Sequence, residues 1–245
     1  LKIENLTGGY FGTTVLKDVD FTVNDGELVG LIGLNGAGKS TTIQEIIGLL
    51  TPYQGQILLD GLSIREDAET YRKKIGFIPE QPSLYEELTL REHIEVTALA
   101  YDVAPEVAMS RAEKLLKTFR LSDKLDWFPA NFSKGMKQKV MIICAFLTEP
   151  SLYIIDEPFL GLDPLAINDL IDLMLEMKKT GASILMSTHI LSTAERFCDK
   201  FIVLHEGRVI ADADLAALRV KFNLPEASLD EIYVALTDES WQAHG

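Results

Sequence analysis

Only two cysteines occur in 245 residues, Cys144 and Cys198, and each lies in an apolar, helix-like stretch. No pair of Cys-x-x-Cys clusters and no histidine-rich run is present, so neither a disulfide framework nor a structural zinc site is expected. The two thiols read as reduced core residues. Long apolar runs are also missing. The longest, Val140 to Leu147, falls far short of the roughly 20 residues a bilayer requires. Leu1 to Asn5 show no basic region ahead of an apolar block, so no secretory signal is expected and the chain reads as soluble. Positive charge is scarce: 23 Lys and Arg against 37 Asp and Glu leave a formal net charge of −14. That balance argues against a non-specific grip on nucleic-acid phosphates. No Asn-Lys pair exists, which removes an Asn-Lys-x-Asp guanine motif. With 47% hydrophobic and 24% charged residues, the composition is that of a globular chain long enough for one large α/β domain.

Against these absences one stretch stands out. Gly33-Leu34-Asn35-Gly36-Ala37-Gly38-Lys39-Ser40 fits a glycine, four free positions and Gly-Lys-Ser, the pattern of a phosphate-binding loop. Glycines let the backbone curl until successive N–H groups point at phosphate oxygens. Lys39 adds a point charge for the β- and γ-phosphates, and the Ser40 hydroxyl can ligate Mg²⁺. Leu28 to Ile32 reads as a buried strand entering the loop. Thr41 to Leu50 reads as a helix leaving it, with its N-terminus aimed at the anion.

The order along the chain is α/β with one interruption. Strands are expected over Lys2–Leu6, Val19–Val23, Gly55–Leu59 and Ile75–Ile78, the last stopped by Pro79. From Thr89 to about Leu147 the pattern is helical. Strand–helix alternation then resumes through Leu152–Ile155, Ala166–Lys179, Ser183–Ser187 and Phe201–Leu204. Helix Ala166–Lys179 carries Ile167, Leu170, Ile171, Met174 and Met177 on one face, a core-packing stripe. Asp212–Val220 and Ser228–Leu236 read as short helices of a tail that packs on the core or meets a partner. Trp241 has no interpretation by itself. The expected layout is one domain: an α/β core (1–86 and 151–211), a helical insertion (87–150) and a C-terminal tail (212–245).

Leu152 to Ile155 ends in Asp156-Glu157. In a parallel sheet ligands collect at the C-terminal strand ends, so Asp156 is placed to hold Mg²⁺ and Glu157 to orient or deprotonate a water.

Read together, the motifs resemble the ATPase subunits of ABC transporters over nearly the whole length. In order they are the phosphate loop, Gln81, Asn131 to Gln138, Asp156-Glu157, Leu160-Gly161-Leu162-Asp163 and Ser187-Thr188-His189. The wording of Phe132 to Gln138 and of Asp156 to Pro164 is similar to the Ecs-type branch from Gram-positive bacteria. This resemblance implies a P-loop NTPase: a RecA-like mixed-sheet core with an N-terminal antiparallel β subdomain, plus an all-helical signature subdomain. It implies ATP and Mg²⁺ as ligands, with Gly33, Leu34, Asn35, Gly36, Ala37, Gly38, Lys39, Ser40 and Thr41 around the phosphates. Tyr10 matches the aromatic residue that stacks on adenine, although the adjacent Phe11 could take that role. Gln81 matches the residue that contacts Mg²⁺ or the attacking water. Ser133, Lys134 and Gly135 match the signature loop that caps the nucleotide of a second subunit, and Asp163 matches the loop crossing that interface. His189 matches the histidine that touches the γ-phosphate. Lys134 and Met136 depart from the common Leu-Ser-Gly-Gly-Gln, and Lys134 either adds charge toward the nucleotide or faces solvent. The resemblance further implies an ATP-bound homodimer and a separate integral membrane subunit. The chain would then be cytoplasmic, peripheral on the inner face of the cell membrane, with no nucleic-acid partner. An ATP switch without turnover is the alternative.

Overall fold

Leu28 to Ile32 is uninterrupted apolar sequence, the mark of a strand buried on both faces, and it becomes β3 (Leu28–Gly33), the middle of the larger sheet. The structure, a computed structural model, describes residues 1–237; Trp241 lies outside them. Six strands run in the order β10-β9-β3-β8-β7-β6. They are β6 (Ile75–Ile78), β7 (Leu152–Asp156), β8 (Ser183–Ser187), β9 (Lys200–His205) and β10 (Arg208–Ala213), around β3. All neighbouring pairs are parallel except β10 on β9. A second, antiparallel sheet has the order β2-β1-β4-β5, from β1 (Lys2–Tyr10), β2 (Thr13–Thr22), β4 (Gln54–Leu59) and β5 (Leu62–Ser63).

Alternation along the central strands divides the core. Leu28 and Ile32 of β3, Tyr153 and Ile155 of β7, and Ile184 and Met186 of β8 face one hydrophobic cluster. Val29 and Leu31, Leu152 and Ile154, and Leu185 face the other. Successive strand residues point to opposite faces, and here both faces are covered. The first cluster is completed by α3 (Leu90–Ala100), α4 (Pro105–Thr118), α5 (Lys134–Leu147) and α6 (Pro164–Lys179). The second is completed by α1 (Lys39–Ile46), β1, β2 and β4. Between Ile78 and Leu152 no strand forms. Thr89 and Glu92 close a capping box at the start of α3, the arrangement that satisfies orphan N–H groups at a helix N-terminus.

Strands β5 and β10 have no counterpart in the sequence expectation, β1 and β2 differ from it in their bounds, and three helices differ as well. α1 begins at Lys39 rather than Thr41 and ends at Ile46, because Gly48 takes a left-handed φ of 75° just beyond it. The short helix α2 (Ala68–Lys73) has no counterpart in the sequence reading. The helix expected from Asp212 starts later, as α8 (Leu215–Lys221), because Asp212 and Ala213 finish β10. Asp214 caps α8 instead, its carboxylate accepting the Ala217 amide at 2.7 Å.

One buried acid has no counterpart in the sequence reading. Glu45 on α1 is 1% exposed, and neither carboxylate oxygen has a hydrogen-bond partner. It packs on the backbone of Gly8, where an added Cβ would meet its Oε1 at 1.7 Å. Burial pushes its carboxyl from 4.5 up to about 7, against a smaller opposing pull from the Gly9 amide. A raised folded-state pKa means that the unfolded chain releases this proton first. Stability therefore falls as pH rises from about 4.5 to about 7, by roughly 3 kcal/mol in all. Glu45→Gln is expected to flatten that slope and to melt above the parent at pH 8. Melting profiles of the two proteins that stay parallel from pH 5 to 8 would contradict this.

Candidate functional site

The loop after β3 is shaped by its glycines. Gly36 and Gly38 take φ of 81° and 112°, in the region that only glycine enters freely. A Cβ on Gly33 would sit 2.6 Å from the Leu204 carbonyl of β9. The Gly207 amide, in the β9–β10 turn, donates to the Ala37 carbonyl at 3.0 Å, and Ala37 N–H donates to Leu34 O at 3.0 Å. Gly38 then caps α1, and its carbonyl accepts from both the amide and the hydroxyl of Thr42 at 2.9 Å. Lys39 curls back, its ammonium donating to Gly33 O at 2.7 Å and Leu34 O at 3.4 Å. Burial lowers its pKa, opposed by the charges of Glu157, Asp156 and Glu80.

The strand register brings the remaining groups to this loop. Leu31 pairs with Ser187, and Ser187 with Asp156, across β3, β8 and β7. The Ser187 hydroxyl donates to the Asp156 carboxylate. Burial raises the Asp156 pKa, and that hydrogen bond offsets part of the rise. Glu157 sits at φ 47°, an uncommon conformation for a non-glycine residue and one that a structure must hold in place. Ser187 holds it: the Glu157 amide meets the Ser187 carbonyl and hydroxyl, each at 3.2 Å. The Glu157 carboxylate accepts from the His189 amide at 3.2 Å and lies 2.7 Å from His189 Nδ1. With Nδ1 so engaged, Nε2 is the ring nitrogen left for another partner.

Gly33, Leu34, Asn35, Lys39, Ser40, Asp156, Glu157 and His189 line one cleft of about 710 Å³. Gly36, Ala37, Gly38 and Thr41 belong to the same loop and helix start but do not line it. Gln81 is exposed and does not line it; its neighbour Glu80 does. Tyr10 is half-buried, its hydroxyl donating to Gln44 Oε1 at 2.7 Å, and Phe11 projects fully into solvent. Ser187, whose contacts shape both carboxylates, has no role in the sequence reading beyond its place in the Ser-Thr-His run. Asp230 and Tyr233 also line the cleft; as members of an amphipathic helix far along the chain they gave no sign of this.

The signature residues lie apart from the cleft, in a second constellation. Ser133 caps α5, accepting the Met136 amide at 3.3 Å. A Cβ on Gly135 would meet the Gly161 carbonyl at 2.4 Å, so α5 and the loop after β7 touch backbone to backbone. Lys134 is exposed, its methylenes alongside Gly161. Asp163 caps α6 through the Ala166 amide at 2.9 Å and pairs with Lys139 of α5 at 2.8 Å. Lys139 above all, then that amide, holds the Asp163 carboxyl at about 2.

The ABC transporter family profile matches residues 16–160. The chain belongs to the ABC transporter family, as one of its ATP-binding subunits. It is 60% identical over 239 residues, 98% of this chain and 97% of the relative, to the ABC-type transporter ATP-binding protein EcsA of Bacillus subtilis (strain 168). A solved ATP-binding subunit of an ABC transporter superimposes with a TM-score of 0.95 at 57% identity, covering 97% of this chain and 99% of the other. A dimeric ATP-binding cassette in a post-hydrolysis state, bound to ADP and Pi, matches with a TM-score of 0.79 at 28% identity, covering 87% and 98%. The fold is that of a P-loop ATPase with a helical signature subdomain, and the Ecs-type resemblance read from the motifs holds.

Gly135→Ala tests the second constellation. The added methyl displaces α5 from Gly161, and a displacement of about 1 Å at such a contact costs on the order of 10²-fold in turnover. ATP affinity of the single chain is expected to stay within about twofold, because the cleft is untouched. Unchanged turnover would contradict the role of this contact.

Proposed function

We propose that two copies of this chain enclose two ATP–Mg²⁺, each held by the phosphate loop of one copy and capped by Ser133, Lys134, Gly135 and Asp163 of the other. The observation that carries this reading is the single cleft that gathers Lys39, Ser40, Asp156, Glu157 and His189 at the carboxyl ends of β3, β7 and β8. The signature residues form a compact unit elsewhere, which suits a complementary half supplied in trans. In this reading the α/β core (1–86 and 151–211) binds the nucleotide, the helical segment (87–150) caps the second site, and the described part of the tail (212–237) packs on the core.

The donors suit the ligands. Ser40 and Asp156 offer oxygens, and Mg²⁺ favours one or two protein oxygens together with substrate phosphates. When bound there, the ion would neutralise charge on the β- and γ-phosphate oxygens. Among the described residues no group of three or more His, Cys, Asp or Glu has metal-binding geometry. Lys39 draws charge from the γ-phosphate as the bond to the β-phosphate breaks. Glu157 accepts the proton of the attacking water, and ADP and phosphate leave. His189 steadies the Glu157 carboxylate through Nδ1, which leaves Nε2 for the γ-phosphate. Gln81 approaches on closure, and Tyr10 supports the base end from β1. The Glu157–His189 pair disfavours a switch without turnover, since it serves water activation.

In this reading the membrane step belongs to a separate integral subunit. Among the described residues no helix is long and apolar enough to cross a bilayer. An apolar groove of about 620 Å³ between α3 and α4, floored by Ile94, Ala98, Val103 and Met109 and rimmed by Glu95, Asp102 and Glu106, suits an apolar helix with basic flanks from the membrane subunit. Such docking would hold the chain on the cytoplasmic face of the membrane.

Glu157→Gln is expected to bind ATP, to dimerise more stably and to release phosphate at least ~100-fold more slowly; near-normal phosphate release would remove Glu157 from its role. Leu99, 79% exposed on the groove, tests the docking surface. Leu99→Glu is expected to abolish co-purification with the membrane subunit while ATP binding persists, and full co-purification would place the contact elsewhere.

A further inference from the structure

The C-terminal helix α9 (Leu229–Thr237) does more than cover apolar surface. Leu229 and Ile232 are wholly buried, and α9 packs on α7 (Leu191–Ala194), the turn that starts two residues after His189. The Leu229 amide donates to Glu195 Oε2 at 2.9 Å, at the end of α7. Arg219 of α8 stands 3.7 Å from the same carboxylate and donates to the Ala227 carbonyl at 2.8 Å. These ties fix the start of α9 against the segment that carries His189.

That anchorage places Asp230 in the wall of the nucleotide cleft. An acidic residue in the first turn of a helix ordinarily serves the helix itself. Here the next residue already does so: Glu231 N–H donates to Ser228 Oγ at 3.2 Å, and Ser228 N–H donates to Glu231 Oε2 at 2.8 Å. Among the described residues the Asp230 carboxylate has no hydrogen-bond or ion-pair partner. It adds a fourth carboxylate to Glu80, Asp156 and Glu157 in the lining of the cleft that also holds Lys39 and Ser40.

We infer that Asp230 is a specificity-determining residue of the nucleotide cleft: it disfavours an uncomplexed nucleoside triphosphate and so selects the complex with a divalent cation. The inference rests on the nucleotide-binding role proposed above. Coulomb repulsion scales with charge, and metal-free ATP carries about four negative charges against about two in its Mg²⁺ complex. One fixed carboxylate therefore penalises the free form about twice as strongly. The effect reaches roughly a Debye length of ~8 Å at physiological salt.

The test is calorimetric titration of the full chain with ATP, once in excess EDTA and once in saturating Mg²⁺, for the parent, Asp230→Asn and Asp230→Glu. Asp230→Asn is expected to tighten metal-free binding by about three- to tenfold and Mg²⁺-complexed binding by only about two- to threefold, the square root of that factor. Asp230→Glu is expected to keep the parent ratio, and added salt to shrink the difference. Equal changes in both conditions, or none in either, would overturn the inference and leave the nucleotide site intact. A parent chain that binds ATP in neither condition would overturn the proposed function itself.

Discussion

The in-register alignment of three parallel strand ends is the constraint on which the site depends. Leu31, Ser187 and Asp156 form one row across β3, β8 and β7, and Lys39, Ser40, Glu157 and His189 follow it on the three chain segments that leave those strand ends. A slip of one residue in β8 would exchange the faces of Ile184, Leu185 and Met186 between two filled cores. Burial of both faces therefore fixes the register, and the register fixes the distance between phosphate loop and carboxylates. Ser187 is the pin of this arrangement, since one side chain and one carbonyl hold both Asp156 and the strained Glu157.

A second constraint governs the signature residues. The contact of Gly135 with the Gly161 carbonyl and the Lys139–Asp163 pair join α5 to the loop that leaves β7. That loop begins at Glu157. The residues proposed to cap a neighbouring nucleotide are thus mechanically continuous with the residue proposed to activate water. Closure of two copies would in this way be sensed at both ends of a short segment, residues 157 to 163.

Much of this was legible in the sequence, for identifiable reasons. The phosphate loop declares itself because its glycines answer backbone requirements that no other residue meets. The central strands declare themselves because strands buried on two faces are uniformly apolar. β10 did not, since as an edge strand with sequence Arg-Val-Ile-Ala-Asp-Ala it lacks both an apolar run and clean alternation; its last residues were read into the following helix. Glu45 and Asp230 illustrate a different limit. Each sits on a helix whose periodicity was readable or nearly so, yet the burial of one and the cleft address of the other depend on which surfaces the fold brings together. Gln81 and Tyr10 were singled out by resemblance alone, and in this conformation neither lines the cleft.

The central claim is that one copy's phosphate loop and another copy's signature loop share a nucleotide. A crystal structure of the Glu157→Gln chain with ATP and Mg²⁺ tests it most directly. The account predicts a two-fold dimer with the γ-phosphate between Lys39 of one copy and Ser133 and Gly135 of the other. A structure with ATP bound to the loop of one chain and the signature loops turned away from every nucleotide would contradict it.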